Sequence, residues 1–186
     1  MNSKSKKMHR ITTCVIFSAL TAILAQIEIP LPIIPISGQT LAVGITATIL
    51  GSRLGAIAMI CYVLIGAVGV PVFAGFSGGL QVLAGPSGGY IMGFILAAFA
   101  TGMILEKTRF NYLYAVIANT VGMFITLVFG TIQMKYVLDF NWQEAMLAGV
   151  YPFIIVGFIK VLMASWIGII VRNRLIHANL MVEKIA

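Results

Sequence analysis

The stretch LAGVYPFIIVGFIKVLMASWIGIIV, from Leu147 to Val171, contains one charged residue, Lys160, among apolar and small side chains. About 20 predominantly apolar residues suffice for a helix to cross a bilayer, so the stretch predicts a transmembrane helix. A lysine at the centre of such a helix costs roughly 2.5–3.5 kcal/mol on insertion scales, which marks it as a functional candidate. The five acids fall at or beyond the ends of apolar segments: Glu28, Glu106, Asp139, Glu144 and Glu183. We therefore expect an anionic ligand to supply the missing partner of Lys160.

The composition of the whole chain predicts an all-α integral membrane protein. Of its 186 residues, 60% are hydrophobic and 9% are charged, whereas soluble domains have about 25% charged residues. The formal charge of +7 could indicate nucleic-acid binding. The cations lie at predicted membrane boundaries, however, so topology explains them and no nucleic acid is expected. Cys14 and Cys61 are isolated, and His9 and His177 lie in the tails, so we expect neither a metal site nor a cofactor.

Gly, Pro and charged residues divide the chain into six apolar runs, which predict six transmembrane helices in a single domain, 1–186. The predicted spans are 11–27, 38–51, 54–72, 88–105, 111–133 and 147–171. With six spans, one side of the membrane has ten of the 12 Lys and Arg residues, whereas the other has Lys135 alone. This asymmetry predicts that both termini are cytoplasmic. Five spans would put the termini on opposite sides and remove the asymmetry.

The connection from Phe73 to Gly89, FAGFSGGLQVLAGPSGG, has six glycines and no charge, and it is predicted on the outer side. Glycines let backbone N–H and C=O groups approach a small molecule closely. Gly88 and Gly89 also precede a helix whose positive dipole end faces the same side. A ligand-binding loop and a flexible turn both fit this composition.

Helical spacing predicts a ligand-contacting face around Lys160. The residues that share this face are Phe153, Val156, Gly157, Met163 and Ala164. An apolar face with one cation suits an amphipathic ligand with an anionic end. The alternative is a lysine that extends its ammonium to the membrane interface, which its position 13 residues after Leu147 disfavours.

Several other polar side chains lie within the predicted spans: Gln39, Thr40, Thr46, Asn119, Thr126 and Gln133. Hydrogen bonds between helices explain most residues of this kind. Gln39 is the stronger ligand candidate because it lies at the outer start of its helix.

Small residues recur on the first helix at a spacing of four, at Ser18 and Ala22 and at Thr21 and Ala25. This spacing lets another helix approach closely. Internal packing is the more frequent use, and docking of another membrane subunit is the sharper hypothesis. The predicted docking residues are Ser18, Ala22 and Ala25.

Four segments together resemble one known family. They are GVPVFAGFSGG (69–79) followed by GPSGGY (85–90), QTLAV (39–43), LGSRLG (50–55), and Pro152-Phe153 with Lys160 eight residues after the proline. The match covers nearly the whole chain, and the glycine-rich segment is its most specific part. The chain resembles the BioY family, the biotin-specific substrate-binding (S) components of energy-coupling-factor (ECF) transporters.

The resemblance implies a six-helix S-component bundle in the cytoplasmic membrane of a prokaryote, with a biotin pocket on the outer side. It also implies two kinds of partner, a transmembrane coupling protein and a pair of ABC-type ATPases. By position, Lys160 would meet the biotin carboxylate, and Ser77 and its neighbours would border the bicyclic ring. The candidate ligand residues are Lys160, Ser77, Gly78, Gly79, Phe73, Gln39, Tyr90, Phe153 and Gly157. At Gly157 the family usually has an acid that holds the ureido N–H groups, and this chain lacks it.

Two other classes fit parts of the sequence. A self-sufficient secondary transporter of a small anionic solute would use Lys160 for proton coupling, but the short chain and its lack of intramembrane acids disfavour this class. A membrane enzyme would need a nucleophile–base pair or a metal motif such as H-E-x-x-H, and no catalytic residue is predicted. The predicted function is therefore capture of biotin by a binding subunit that relies on partner ATPases.

Overall fold

The computed structural model describes residues 3–178 and residue 180. Lys184, one of the cations predicted on the cytoplasmic side, lies outside the described residues. In chain order the elements are α1 (Ser3–Ala25), β1 (Glu28–Ile29), β2 (Ile36–Ser37), α2 (Gln39–Ala67), a 3-10 turn (Ala74–Phe76), α3 (Leu80–Ala84), α4 (Gly88–Lys107), α5 (Tyr112–Val137), α6 (Trp142–Gly149) and α7 (Tyr151–His177).

α2 consists of two antiparallel helices joined at Gly51. Gly51 has φ 79° and ψ −171°, a conformation that is essentially restricted to glycine. The Gln39 side chain donates from Nε2 to the Tyr62 hydroxyl at 2.6 Å, although the two residues are 23 apart in sequence. Along a straight helix they would be separated by about 35 Å. The chain therefore reverses at Gly51, and we name the two parts limb A (39–50) and limb B (52–67).

This reversal reconciles the helix bounds with six membrane passes. Within the described residues, four helical segments are long and apolar enough to cross a membrane, 39–67, 88–107, 112–137 and 142–177, and 10–25 is a shorter apolar helix. Segment 39–67 accounts for two passes because limbs A and B run in opposite directions. The passes are α1, limb A, limb B, α4, α5 and α7, which confirms the predicted six-helix membrane fold.

The last predicted span, 147–171, includes the end of one helix and most of another. Asn141 begins α6 with a capping box, in which its side chain accepts from the backbone N–H of Glu144 and the Glu144 side chain accepts from the backbone N–H of Asn141. α6 ends at Gly149, and α7 begins at Tyr151 with Pro152 in its first turn. Proline fits this position because its missing N–H would be unpaired there in any case. The membrane pass that contains Lys160 is therefore α7 alone, and α6 is a separate short helix before it.

The two ends of the bundle differ in structure. At one, which we name the hairpin end, β1 pairs antiparallel with β2 beside the loop 73–87. At the other, the Gly51 end, the Glu106 carboxylate of α4 accepts from Ser52 N at 3.0 Å and Ser52 Oγ at 2.7 Å. Arg172 of α7 donates to the Ile49 carbonyl. These charged groups hold the α2 reversal against both α4 and α7.

The small-residue face of α1 packs within the chain. Ser18 Oγ donates to the Ala58 carbonyl of limb B at 2.7 Å, and Ser18 and Ala25 are 2% and 0% exposed. Ala22 is half-buried against the same core. The small side chains of Ser18 and Ala25 thus permit close packing inside the bundle, and the docking of another subunit at this face stays a prediction.

Candidate ligand-binding site

A cavity of about 220 Å³ lies between limb A, α4, α5 and α7. It extends from the β-hairpin and the loop 73–87 to Asn119 and Ala164, deeper in the bundle. A single water needs roughly 10–15 Å³, so the cavity has room for a small organic ligand.

Lys160 provides the cation of this cavity. Its Nζ donates to the Ser37 carbonyl at 2.7 Å and to Thr40 Oγ1 at 3.2 Å. No Asp or Glu is found among the cavity-lining residues that the structure describes. An ammonium group has three N–H donors, so one donor and the uncompensated charge remain available to an anion. The two existing bonds fix the ammonium at the boundary between β2 and limb A.

A chain of hydrogen bonds connects the Lys160 region with the glycine-rich loop. Ser37 Oγ donates to Gln39 Oε1 at 2.7 Å, and Gln39 Nε2 donates to the Tyr62 hydroxyl at 2.6 Å. The Tyr62 hydroxyl then donates to the Val72 carbonyl at 2.9 Å. Both the oxygen and the nitrogen of the Gln39 amide are bonded within this hydrogen-bond series. Gln39 therefore shapes the cavity wall by holding Ser37 and Tyr62 in position.

Aromatic rings form much of the apolar wall. Phe73 is 1% exposed, and its ring meets Tyr62 edge-on at a centroid distance of 5.5 Å. Tyr90 donates its hydroxyl to the Gly149 carbonyl at 2.8 Å, and its ring lies 5.9 Å from that of Phe153. The polar end of Tyr90 is bonded within the protein, so its ring, with those of Phe73 and Phe153, offers apolar surface for the body of a ligand.

The glycine-rich loop contributes some of its predicted residues to the cavity. Ser77 lines the cavity, and its Oγ donates to the Ala74 carbonyl at 2.7 Å. Gly78 and Gly79 do not line it. A Cβ on Gly78 would be 2.4 Å from the Val70 carbonyl oxygen, and Gly79 has φ +95°. Gly78 therefore permits close packing against the Val70 backbone, and Gly79 permits a turn conformation that other residues rarely adopt.

The cavity brings together seven of the nine predicted ligand residues: Lys160, Ser77, Phe73, Gln39, Tyr90, Phe153 and Gly157. Sequence reasoning missed Gly44, which lies one helical turn after Thr40 on limb A, and for Asn119 it favoured hydrogen bonding between helices over a ligand role. The i, i+4 spacing of Thr40 and Gly44 is the signal that could have placed both on one face.

A helical membrane bundle whose cavity combines a cation, apolar walls and a few hydroxyl and amide groups defines a membrane binding protein for a small amphipathic anion. The BioY family model matches residues 1–177, and this chain belongs to the BioY family. The predicted resemblance is thereby confirmed.

Two curated relatives and one solved structure illustrate the similarity. Biotin transporter BioY2 of Lactococcus lactis subsp. cremoris is 34% identical over 176 residues, which are 95% of this chain and 97% of the relative. Biotin transporter BioY of Thermotoga maritima is 38% identical over 87% of this chain and 95% of its own length. The crystal structure of the S-component for biotin from an ECF-type ABC transporter has a TM-score of 0.85 at 23% identity, covering 93% of this chain and 95% of that one. This structural match supports the six-helix fold, and the family assignment confirms that the chain is not an enzyme.

Proposed function

We propose that this chain is the biotin-binding membrane subunit of an ECF uptake transporter and acts as a single transmembrane domain. The observation that carries the proposal is Lys160, a cation in an apolar cavity whose described lining has no acid. A biotin carboxylate would accept from the free N–H of Lys160. The valeryl chain and bicyclic ring would contact the walls formed by Phe73, Tyr90 and Phe153, with Ser77 beside the ring. The names of the curated relatives support biotin as the ligand.

Binding of biotin and of biotin methyl ester to the purified protein tests this proposal. The ester keeps the ring and chain but removes the negative charge. We expect biotin to bind and the ester to bind roughly 10- to 150-fold more weakly, because a hydrogen bond to a charged group contributes about 1.5–3 kcal/mol. Isothermal titration in detergent measures both affinities. Equal affinity for acid and ester would rule out the carboxylate assignment, and a lack of biotin binding would rule out the function.

Charge distribution supports an orientation in a prokaryotic cytoplasmic membrane with both termini on the cytoplasmic side. Arg53, Lys107 and Arg174 belong to the Gly51 end, whereas Lys135 lies in the last turn of α5, toward the hairpin end. By the positive-inside rule the Gly51 end would face the cytoplasm. The cavity would then receive its ligand from the outer side.

Concentrative uptake is expected to require a transmembrane coupling protein and a pair of ABC-type ATPases. The sequence has no G-x-x-x-x-G-K-[ST] nucleotide-binding loop, so ATP hydrolysis would come from partners. Biotin uptake into cells or liposomes would be compared for this chain alone and with those partners. We expect biotin to bind in both cases but to accumulate only with the ATPases. Accumulation by the chain alone, driven by a proton gradient, would support the secondary-transporter alternative.

A further inference from the structure

We propose that Asn119 determines specificity by accepting a ureido N–H of the ligand at the inner end of the cavity. This inference rests on the proposed function, because it assigns the recognition of one part of bound biotin. It concerns the end of the ligand opposite the carboxylate.

Hydrogen bonds fix the orientation of the Asn119 amide. Its Nδ2, which has two N–H groups, lies within hydrogen-bonding distance of three acceptors: the Ala115 carbonyl at 3.0 Å, Thr48 Oγ1 at 3.0 Å and Ser165 Oγ at 3.1 Å. A backbone carbonyl can only accept, so the atom that contacts Ala115 must be the nitrogen. Ser165 Oγ already donates to the Val161 carbonyl at 2.7 Å, which leaves it as an acceptor for Asn119. The amide oxygen therefore points away from these partners.

The oxygen, Oδ1, lies beside a gap that glycine creates in the cavity wall. A Cβ on Gly44 would be 2.6 Å from Oδ1 and 2.8 Å from the Ala164 Cβ. Gly44, Asn119 and Ala164 all line the cavity. Asn119 is 4% exposed, yet in the part of the chain that the structure describes no group donates to Oδ1. Among the described residues this oxygen is not one of the fully enclosed polar atoms that lack a partner, so it is open to the cavity, where a ligand N–H would reach it.

The cation and this oxygen lie at successive positions along limb A, with the cation nearer the hairpin end. Lys160 Nζ contacts Thr40, and Asn119 Oδ1 lies against Gly44. Thr40 and Gly44 share a face of limb A about 6 Å apart along the helix axis. Biotin has a carboxylate, an apolar chain and two ureido N–H groups in this order. Because Gly157 offers no side-chain acceptor, the Asn119 amide oxygen takes that role.

Comparing biotin with biotin methylated at either ureido nitrogen tests the inference. We expect methylation of one nitrogen to weaken binding to the wild type by roughly 5- to 10-fold, the value of one hydrogen bond. In Asn119→Leu, which removes the acceptor, and in Gly44→Ala, which covers it, biotin itself should bind more weakly and the methylation penalty should shrink toward unity. Thr120→Val, a neighbouring change on α5 outside the cavity lining, should keep the wild-type penalty.

The methylation penalty is the ratio of the affinities for biotin and for methylated biotin. A variant that only loosens the bundle weakens the binding of both ligands equally and leaves this ratio unchanged, so a changed ratio indicates recognition of the ureido group. Gly44→Ala leaves Asn119 and the three groups around its Nδ2 unsubstituted, and its added Cβ crowds Oδ1, so it provides a second variant where Asn119→Leu does not fold. An unchanged methylation penalty in the variants overturns the inference. If the wild type binds biotin and discriminates against the methyl ester while ureido methylation has no effect, the proposed function stands and this inference falls. If the wild type does not bind biotin, both fall.

Discussion

Lys160→Met is expected to weaken biotin binding by roughly 10- to 150-fold while the protein stays inserted and folded. The substitution keeps most of the side-chain length but removes the charge-assisted hydrogen bond to the carboxylate, worth about 1.5–3 kcal/mol. Removing a cation from the middle of a membrane helix should also favour insertion. Titration of both proteins with biotin in detergent measures the loss, and size-exclusion chromatography verifies that the variant is intact.

Lys135→Met is the matched control for this change. Lys135 is also a lysine near the hairpin end, but its Nζ lies 4.9 Å from the Tyr136 ring centroid and 5.4 Å from that of Trp142, and it does not line the cavity. We expect Lys135→Met to bind biotin like the wild type. If both variants bind normally, Lys160 is not the carboxylate partner. If both lose binding to the same degree, the effect is one of overall charge.

Gly51→Ala is expected to cause a large loss of stability. Alanine would have to adopt φ 79° and ψ −171°, at a cost of roughly 1–3 kcal/mol. Its Cβ would also lie 2.3 Å from Glu106 Oε1, so the carboxylate must move away from Ser52. Losing hydrogen bonds to a charged group adds about 1.5–3 kcal/mol. The apparent midpoint of thermal unfolding in detergent should fall, and the α2 reversal should be the part affected.

Gly69→Ala separates the cost of backbone strain from the cost of losing the Glu106 hydrogen bonds. Gly69 also has a positive φ, +101°, but nothing lies within 4 Å of the added Cβ. It should therefore lose stability only through backbone strain, about 1–2 kcal/mol. An equal fall in the unfolding midpoint for both variants would mean that the Glu106 contacts do not stabilise the reversal.

Local patterns in the sequence do not show which neighbouring element a residue will contact. The small-residue spacing on α1 fits both internal packing and docking, and only the fold shows that Ser18 contacts limb B. Gly78 and Gly79 occur in the most specific family motif, yet they do not line the cavity. Their glycine requirement comes from the Val70 carbonyl and a positive φ, which sequence spacing does not reveal.

The sequence by itself determined that the chain lies in a membrane, that it crosses the membrane six times, and that Lys160 is a lone charge within the last apolar segment. These properties are local, because a bilayer responds to the hydropathy of each segment and to the charges at its ends. Tertiary structure alone decided which polar groups share the cavity. Lys160 contacts the Ser37 carbonyl across 123 positions, and Asn119 contacts Thr48 across 71. Such pairs meet only because limb A, α5 and α7 pack together, and buried polar atoms on packed helices must find partners among whatever lies opposite.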